Sequence, residues 1–397
     1  MISVESAFER IVGAANPLST ERLALFACSG RVLAGPLKAR RSQPGCNASA
    51  MDGYAVNSSD LTGKTTNFRL VGESAAGTPF AGNIASGEAV RIFTGAAVPD
   101  GADQVVIQEN TGPIKGGIFT DEPSKPGKNI RLAGYDFTEK QTVLDAGSYI
   151  SARSLGIAAS AGHSHLMVNR APTIALLATG DELVSPDAKE FLPHETVNST
   201  VPQLQAMLSE IGAHATDLGQ AGDTVESLRA SIKKGADADI LVTIGGASVG
   251  DHDFMQQALA EEGMTLDFWK VGMKPGKPLI YGRRGTQHIL GLPGNPVSAF
   301  VCALIFLRPL VDKLMGRPAP LPTGLMIPVA TELEENGPRQ HYMRARLIGE
   351  PGSRHVDPAV SQDSGQMSVL AQCDGLIVRP PKAPCLSAGS LVPFIPF

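Results

Sequence analysis

Residues 239–254 read DILVTIGGASVGDHDF, and this stretch says most about the fold class. A short apolar run ends in two glycines, and a helix-like apolar segment begins near Phe254. That order is typical of a buried strand, a tight turn and a helix N-terminus. Free backbone N–H groups and the helix dipole make such a turn a seat for a phosphate. The residues predicted to bind an anionic ligand here are Gly245, Gly246, Ser248 and Gly250.

Two acidic residues, Asp251 and Asp253, lie in the same turn. Their carboxylates would repel a phosphate, unless a divalent cation bridges the carboxylates and the phosphate oxygens. The alternative is an ordinary strand–helix turn in which an aspartate caps the helix. This segment alone leaves both interpretations open.

Composition narrows the class of protein. The chain of 397 residues is long enough for two or three domains, and its 43 glycines and 29 prolines predict many turns. A net charge of −5 without a basic block argues against binding to nucleic acid. The five scattered cysteines show no metal-ligand spacing and indicate reduced thiols. The N-terminus lacks the pattern of a signal peptide. The longest apolar stretch, residues 299–307, is too short to span a bilayer. We therefore expect a cytoplasmic protein.

The pattern along the chain predicts a multidomain α/β protein. Between residues 173 and 316 strands alternate with helices, which predicts a parallel sheet with ligands beyond the carboxyl ends of its strands. Helices are expected from Ser3 and again from Leu18, and the tail is expected to form a small barrel or sandwich. The predicted domains are 1–40 with 138–168 (helical), 41–137 (β-rich insert), 169–317 (central α/β) and 318–397 (C-terminal β-barrel).

Acidic residues follow three successive strands of the predicted sheet. Glu182, Asp223 and Asp253 come after the first, second and third of them. Taken singly, each is explained as a helix cap or a solvated carboxylate. Because the carboxyl ends of parallel strands meet at one crevice, we expect the three to share a Mg²⁺ or nucleotide site.

Positive charge and a rigid turn come next in the chain. Residues 269–278 carry Lys270, Lys274 and Lys277, which suit a polyanion, although a solvated loop is the alternative. The turn GLPGNP at 291–296 opens a helix at the same edge of the sheet. We therefore expect Pro293 and Asn295 to contact an anion.

Four further polar residues stand out less. Asp52, in SAMDGYAV at 49–56, and Asp136, in GYDF at 134–137, are explained by spacing alone as turn residues. Arg344 and Arg346 are expected to share a strand face, either as exposed charges or as an oxyanion site.

Three further motifs are FTGA at 93–96, TGDEL at 179–183 and KPGKP at 274–278. Together with the motifs above, in this order, they resemble the MoeA family over essentially the whole chain. The family comprises the molybdopterin molybdenumtransferases and includes the E domain of gephyrin. The resemblance implies insertion of molybdate into adenylylated molybdopterin, with Mg²⁺ and release of AMP. It also implies a four-domain homodimer whose site is built from both subunits. The implied protein partners are the molybdopterin adenylyltransferase and molybdoenzyme apo-proteins.

The resemblance also implies roles for individual positions. Glu182, Asp223 and Asp253 would lie near the cation and the nucleotide. The remaining matched positions are Lys270, Lys274 and Lys277 for the anion, Arg344 and Ser364 for molybdate, and Asp52, Thr94 and Asp136 as functional positions of the β-rich part. Two alternatives stay open: adenylylation of molybdopterin, the preceding step, and a gephyrin-like scaffold without catalysis.

Overall fold

The structure is a computed structural model that describes residues 1–246 and 254–397. The chain divides into two compact units. The α/β–barrel unit consists of Met1–Glu21, Gly30–Val32 and Asn169–Phe397, and the β-rich unit consists of Arg22–Ser29 and Leu33–Val168. Residues 1–40, expected in one helical domain, are thus shared between the two units.

A six-stranded sheet forms the centre of the α/β–barrel unit. Its order is His214–Ala221, Thr173–Thr179, Ile240–Ile244, Gln287–Leu292, Pro278–Arg284, Thr265–Lys270. The first four strands are parallel, which confirms the predicted α/β domain. Pro278–Arg284 pairs antiparallel with both of its neighbours, and neither it nor Thr265–Lys270 was predicted. Thr265–Lys270 is an edge strand with mostly exposed side chains, so it lacks the apolar run that marks a buried strand.

Helices cover both faces of this sheet because its buried strands are apolar on both sides. Leu176 and Val242 pack on one face, against the helix Thr200–Glu210 and the helical segment that starts at Pro296. Leu177 and Leu241 pack on the other face. The helices on that second face are Val225–Lys234 and Phe254–Glu261.

The long apolar helix predicted to end near Gly316 is present with one irregularity. It runs as α-helix over Pro296–Cys302, π-helix over Ala303–Leu307 and α-helix over Arg308–Leu314. Pro309 cannot donate a backbone hydrogen bond, and in a regular helix its ring would clash with the carbonyl four residues earlier. The wider π-turn directly before it relieves that clash.

The N-terminal prediction is half confirmed. The helix Val4–Gly13 begins at the N-cap Ser3, whose side chain accepts from the N–H of Ser6, and it packs on the α/β core. The second helix, expected from Leu18, is wrong. Thr20–Ala24 is a strand whose burial alternates with period two, followed by a single 3₁₀ turn. Its few apolar residues are too short a run to support a helix.

The C-terminal domain is a barrel, as expected. Its strands are Met273–Lys274, Leu325–Pro328, Gln340–Ile348, His355–Pro358, Gly375–Arg379 and Leu391–Pro396. A bridge between Val329, directly after Leu325–Pro328, and Val356, in His355–Pro358, closes the curled sheet. The interior is apolar and includes Ala345, Ile377 and Phe394.

The β-rich unit contains the predicted insert. Its six-stranded sheet has the order Gln104–Ile107, Gly53–Val56, Glu88–Ile92, Thr66–Ser74, Gly117–Thr120, Gly112–Ile114. The helix Ala152–Ser160, capped by Ser151, belongs to the same unit. Shorter strands are Leu37–Lys38, Ala48–Ser49, Ile130–Arg131, Thr142–Leu144 and His165–Asn169. Within the described ranges, every helix is too short or too polar to cross a bilayer.

Candidate functional site

A cavity of about 650 Å³ lies at the carboxyl ends of the parallel strands. This is the edge at which open α/β sheets bind ligands. Six residues predicted to form the site line this one cavity: Glu182, Asp223, Gly245, Gly246, Pro293 and Asn295. The structure therefore brings together side chains from four separate strand ends.

The glycine turn after Ile240–Ile244 is tightly packed. Gly245 has a φ of 95°, and a Cβ placed on it would lie 2.7 Å from the carbonyl oxygen of Thr179. Only glycine fits that position. The N–H of Gly245 donates to the carbonyl of Leu292 at 3.1 Å, so it is not free for an anion. Three other predicted residues of this loop, Ser248, Gly250 and Asp253, lie outside the described residues.

Asp223 is not the helix cap that it resembled in the sequence. The cap of Val225–Lys234 is Thr224, whose hydroxyl accepts from the N–H of Ser227 at 3.2 Å. The N–H of Asp223 donates to Oδ1 of Asp181 at 3.3 Å. A Cβ on Gly222 would lie 3.2 Å from that same oxygen, so the two loops approach closely.

The acids at this edge repel one another. Burial, together with the negative charges of Asp181 and Glu182, raises the pKa of Asp223. Asp181 is a residue that the sequence analysis missed, although it stands inside the quoted TGDEL motif. Its position beside Glu182 was the available signal, but only the contact with Asp223 shows that it faces the cavity loops.

The donor set suits a hard divalent cation. Mg²⁺ takes carboxylate oxygens, and a crowd of like charges is stabilised by a cation. Within residues 1–246 and 254–397 no three His, Cys, Asp or Glu side chains form a ready-made metal cluster. The fit therefore rests on the close approach of the Asp181 and Asp223 loops and on Glu182 and Asp223 lining one cavity.

The turn before Pro296 adds an unsatisfied polar group. Asn295 occupies the N-cap position, but its side chain makes no cap hydrogen bond. Its Oδ1 is buried and has no hydrogen-bond partner. Buried acceptors are normally satisfied, so this oxygen marks a place where a ligand or a small rotation would supply a donor. Ser298, only 5 % exposed, lines the same cavity and was also missed.

The predicted lysines do not line this cavity. Lys270 places its Nζ 3.5 Å from the centre of the Trp269 ring. Lys277 is exposed, although the next residue, Pro278, does line the cavity. Lys274 lines a second cavity, of about 460 Å³, in the barrel domain. Burial, and the charge of Lys274, lower the pKa of His341 in that cavity to about 4.

Arg344 is buried rather than exposed, at 2 % of its surface. Its guanidinium donates to the carbonyl oxygens of Ser361, Asp363 and Gln366 at 3.1, 2.8 and 3.1 Å. The exposed-charge interpretation is therefore wrong for Arg344, whereas Arg346 is exposed. The arginine holds the loop that carries Ser364, which is half-buried.

Of the three residues predicted in the β-rich unit, Asp52 and Thr94 are in contact, and Asp136 does not take part in that contact. Oδ1 of Asp52 accepts from both the N–H and the hydroxyl of Thr94, each at 2.8 Å. These bonds, with the charge of Arg91, lower the pKa of Asp52. Asp136 is exposed, and its N–H donates to the carbonyl of Gln43 at 2.9 Å.

Comparison with known proteins identifies the family. Three family models match: the MoeA N-terminal region (domain I and II) over residues 2–162, a probable molybdopterin binding domain over 175–313, and the MoeA C-terminal region (domain IV) over 327–397. The molybdopterin molybdenumtransferase of Haemophilus influenzae is 34% identical over 385 residues, which cover 96% of this chain and 95% of that protein. The chain belongs to the MoeA family.

Other MoeA relatives agree with this assignment. The protein of the same name from Nostoc is 34% identical over 380 residues, covering 93% of this chain and 87% of that one. A MoeA crystal structure from Pyrococcus horikoshii OT3 has the same fold, with a TM-score of 0.86, 21% identity and full coverage of both chains. This MoeA protein is accordingly a transferase of molybdenum cofactor biosynthesis.

Proposed function

We propose that this transferase inserts molybdate into adenylylated molybdopterin, releases AMP and requires Mg²⁺. The observation that carries the proposal is the cavity at the strand ends, which Glu182 and Asp223 line beside a glycine turn. Burial, and then the charges of Asp181 and Glu182, raise the pKa of Asp223 there. The name of the relatives supports the substrate class.

The cavity offers what a pyrophosphate-linked substrate needs. Apolar side chains such as Leu228 and Met255 line it beside the polar strand ends, so a flat ring system and a charged linker can bind in one place. The helix beginning at Pro296 directs its N-terminal dipole at this edge, which favours negative charge there. Asp181 orients the Asp223 loop through its hydrogen bond.

Glu182, Asp223 and Asp253 are the residues that would hold Mg²⁺. When bound, the cation supplies neutralisation of the charge on phosphate oxygens. Arg344 acts from the barrel domain by fixing the loop of Ser364, so that this hydroxyl is held in one place for the molybdate oxyanion.

The direct test is a reaction of the purified protein with adenylylated molybdopterin, molybdate and Mg²⁺. We expect AMP to appear in step with molybdenum cofactor, and both to stop when Mg²⁺ is removed by a chelator. Consumption of ATP with free molybdopterin would instead indicate the adenylyltransferase. A protein that consumes neither substrate would be a scaffold.

We further propose that the active form is a homodimer located in the cytoplasm, which receives substrate from the adenylyltransferase and passes cofactor to apo-molybdoenzymes. The two groups of predicted residues lie in different units of the chain, and we propose that each active site takes one group from each subunit. Mixing inactive Asp52→Ala and Asp253→Ala proteins should then restore about a quarter of wild-type activity, because random exchange makes about half of the dimers mixed. No recovery after verified exchange would contradict the shared site.

A further inference from the structure

Arg91 lies next to the Asp52–Thr94 pair in the β-rich unit. It belongs to the strand Glu88–Ile92 and stands directly opposite Tyr54 in the antiparallel pair. Its guanidinium carbon is 5.0 Å from the centre of the Tyr54 ring and 4.9 Å from that of Phe93. A planar guanidinium between two aromatic rings has little freedom to move.

Arg91 donates hydrogen bonds to two residues beside Asp52: Gly53, the next residue in the chain, and Gln108, which bonds to the Asp52 backbone. Nη1 donates to the carbonyl of Gly53, the next residue, at 3.1 Å. Nη2 donates to Oε1 of Gln108 at 2.6 Å, and the N–H of Gln108 donates to the carbonyl of Asp52 at 3.1 Å. Arg91 therefore fixes the Gly53–Tyr54 peptide, one residue beyond Asp52, and through Gln108 it is linked to the carbonyl of Asp52 itself.

The aromatic contacts extend this hold to Thr94. Phe93, stacked on the guanidinium, immediately precedes Thr94, whose N–H and hydroxyl both donate to the Asp52 carboxylate. The charge of Arg91 also acts directly on that carboxylate, because it adds to the Thr94 bonds that lower the pKa of Asp52. A single side chain thus contacts Gly53, which follows Asp52, and Phe93, which precedes Thr94.

We infer that Arg91 is a positioning residue for molybdenum insertion, which holds the Asp52 carboxylate and the Thr94 hydroxyl in their working arrangement. The inference rests on the proposed function, in which Asp52 and Thr94 serve the reaction. The competing explanation is that Arg91 only stabilises the sheet.

Two substitutions separate these explanations. Arg91→Met keeps a long apolar stem between the rings but removes the charge and all donors. Arg91→Lys keeps the charge but cannot reach Gly53 and Gln108 together, because the fork of donors is lost. The matched control is Arg69→Met, on a neighbouring strand of the same sheet. The Arg69 side chain is 70 % exposed and pairs with Glu88 on the surface.

Three quantities are measured on the full chain: the titration of the Asp52 carboxyl carbon by NMR, kcat and KM for insertion, and Tm. We expect Arg91→Met to raise the Asp52 pKa and to lower kcat at least tenfold, with KM changed less than twofold. Arg91→Lys should restore the titration in large part but kcat only in part. Arg69→Met should leave all of these at wild-type values.

The inference is overturned if folded Arg91→Met keeps wild-type kcat, or if Asp52 titrates unchanged. It is also overturned if the lower kcat of Arg91→Met is explained by loss of folded protein, as shown by a lowered Tm, and Arg91→Lys restores kcat and Tm completely. A residue that only stabilises the sheet would behave in this way. A wild-type protein without insertion activity would refute the proposed function instead, and the Asp52 titration would still report whether Arg91 positions the pair.

Discussion

Two aspartates at opposite ends of the central sheet have contrasting surroundings. Asp239, just before the strand Ile240–Ile244, accepts two hydrogen bonds from Arg170, at 2.8 and 2.9 Å. It also accepts from the N–H and hydroxyl of Thr173, at 2.7 and 2.8 Å. Although burial opposes this, these partners lower the pKa of Asp239. Asp223, at the carboxyl edge, has its pKa raised by burial and by neighbouring acids.

The contrast shows how one residue type serves two purposes. The fold itself satisfies the carboxylate of Asp239, which joins the starts of two strands and needs nothing from solution. The carboxylate of Asp223 lies among like charges, an arrangement that costs stability and persists where a ligand compensates for it. The location agrees, since ligands of open α/β sheets bind at the carboxyl ends of the strands.

The largest expected effect is the loss of activity in Asp223→Ala. Removing a carboxylate that holds the cation should lower kcat by about a hundredfold to a thousandfold, or about 3–4 kcal/mol of barrier. Tm should stay at or above the wild-type value, because a repelled charge is removed. Steady-state AMP release measures the rate. Glu226→Ala, at an exposed position in the first turn of the next helix, is the control and should be fully active. Wild-type turnover by Asp223→Ala would contradict the distinction.

The opposite result is expected for Asp239→Ala. It leaves Arg170 and two groups of Thr173 without their acceptor, which should cost about 3 kcal/mol of unfolding free energy. The rate constant of the folded fraction should not change. Urea unfolding gives the free energy, and exposed Asp237→Ala is the control. Equal stability of the two variants would show that the Asp239 network does not support the fold.

A third prediction concerns whether lysine also balances the negative charge of the substrate. Lys274→Ala should weaken binding of adenylylated molybdopterin by about 1–3 kcal/mol, the worth of one charge-assisted contact. Titration calorimetry measures the affinity, with exposed Lys189→Ala as the control. If the two affinities are equal, Lys274 is only a solvated residue of the barrel cavity that it lines.

The smallest expected effect is the pH dependence of the stability that the Asp239 carboxylate contributes. Its pKa is lowered from 3.8, so its charge contributes stability above that pH, and this contribution is lost as the pH falls through the folded-state pKa. Asp239→Asn should therefore be less stable than wild type by about 1 kcal/mol at pH 7, and the difference should shrink below pH 4. Urea unfolding across this range tests it. A difference that stays constant with pH would mean that packing, not charge, sets the effect.

Much of the fold follows from local pattern. Ile240–Ile244 is fully buried, and its apolar run could only be an inner strand. Thr265–Lys270 escaped prediction because edge strands take their stability from one neighbour and tolerate exposed Asp and Trp. Thr20–Ala24 was misjudged because so short a segment is decided by tertiary pairing rather than by helix propensity.

The site was predictable where topology alone brings residues together. Glu182 and Asp223 follow parallel strands, so their meeting in one cavity was fixed by the sheet. Asp181 was missed because the direction of its side chain depends on the close approach at Gly222, which no spacing reveals. The burial of Arg344 depends on a loop seventeen or more residues along the chain, and nothing in its own strand indicates that contact.

Mn²⁺ binding, measured by electron paramagnetic resonance, tests whether the acids at the carboxyl edge hold a divalent cation. Wild type and Asp239→Asn should each bind one Mn²⁺ per chain, displaced by Mg²⁺, and Asp223→Ala should bind at least tenfold more weakly. Equal binding by wild type and Asp223→Ala, or no binding by wild type in the presence of AMP, would contradict the account.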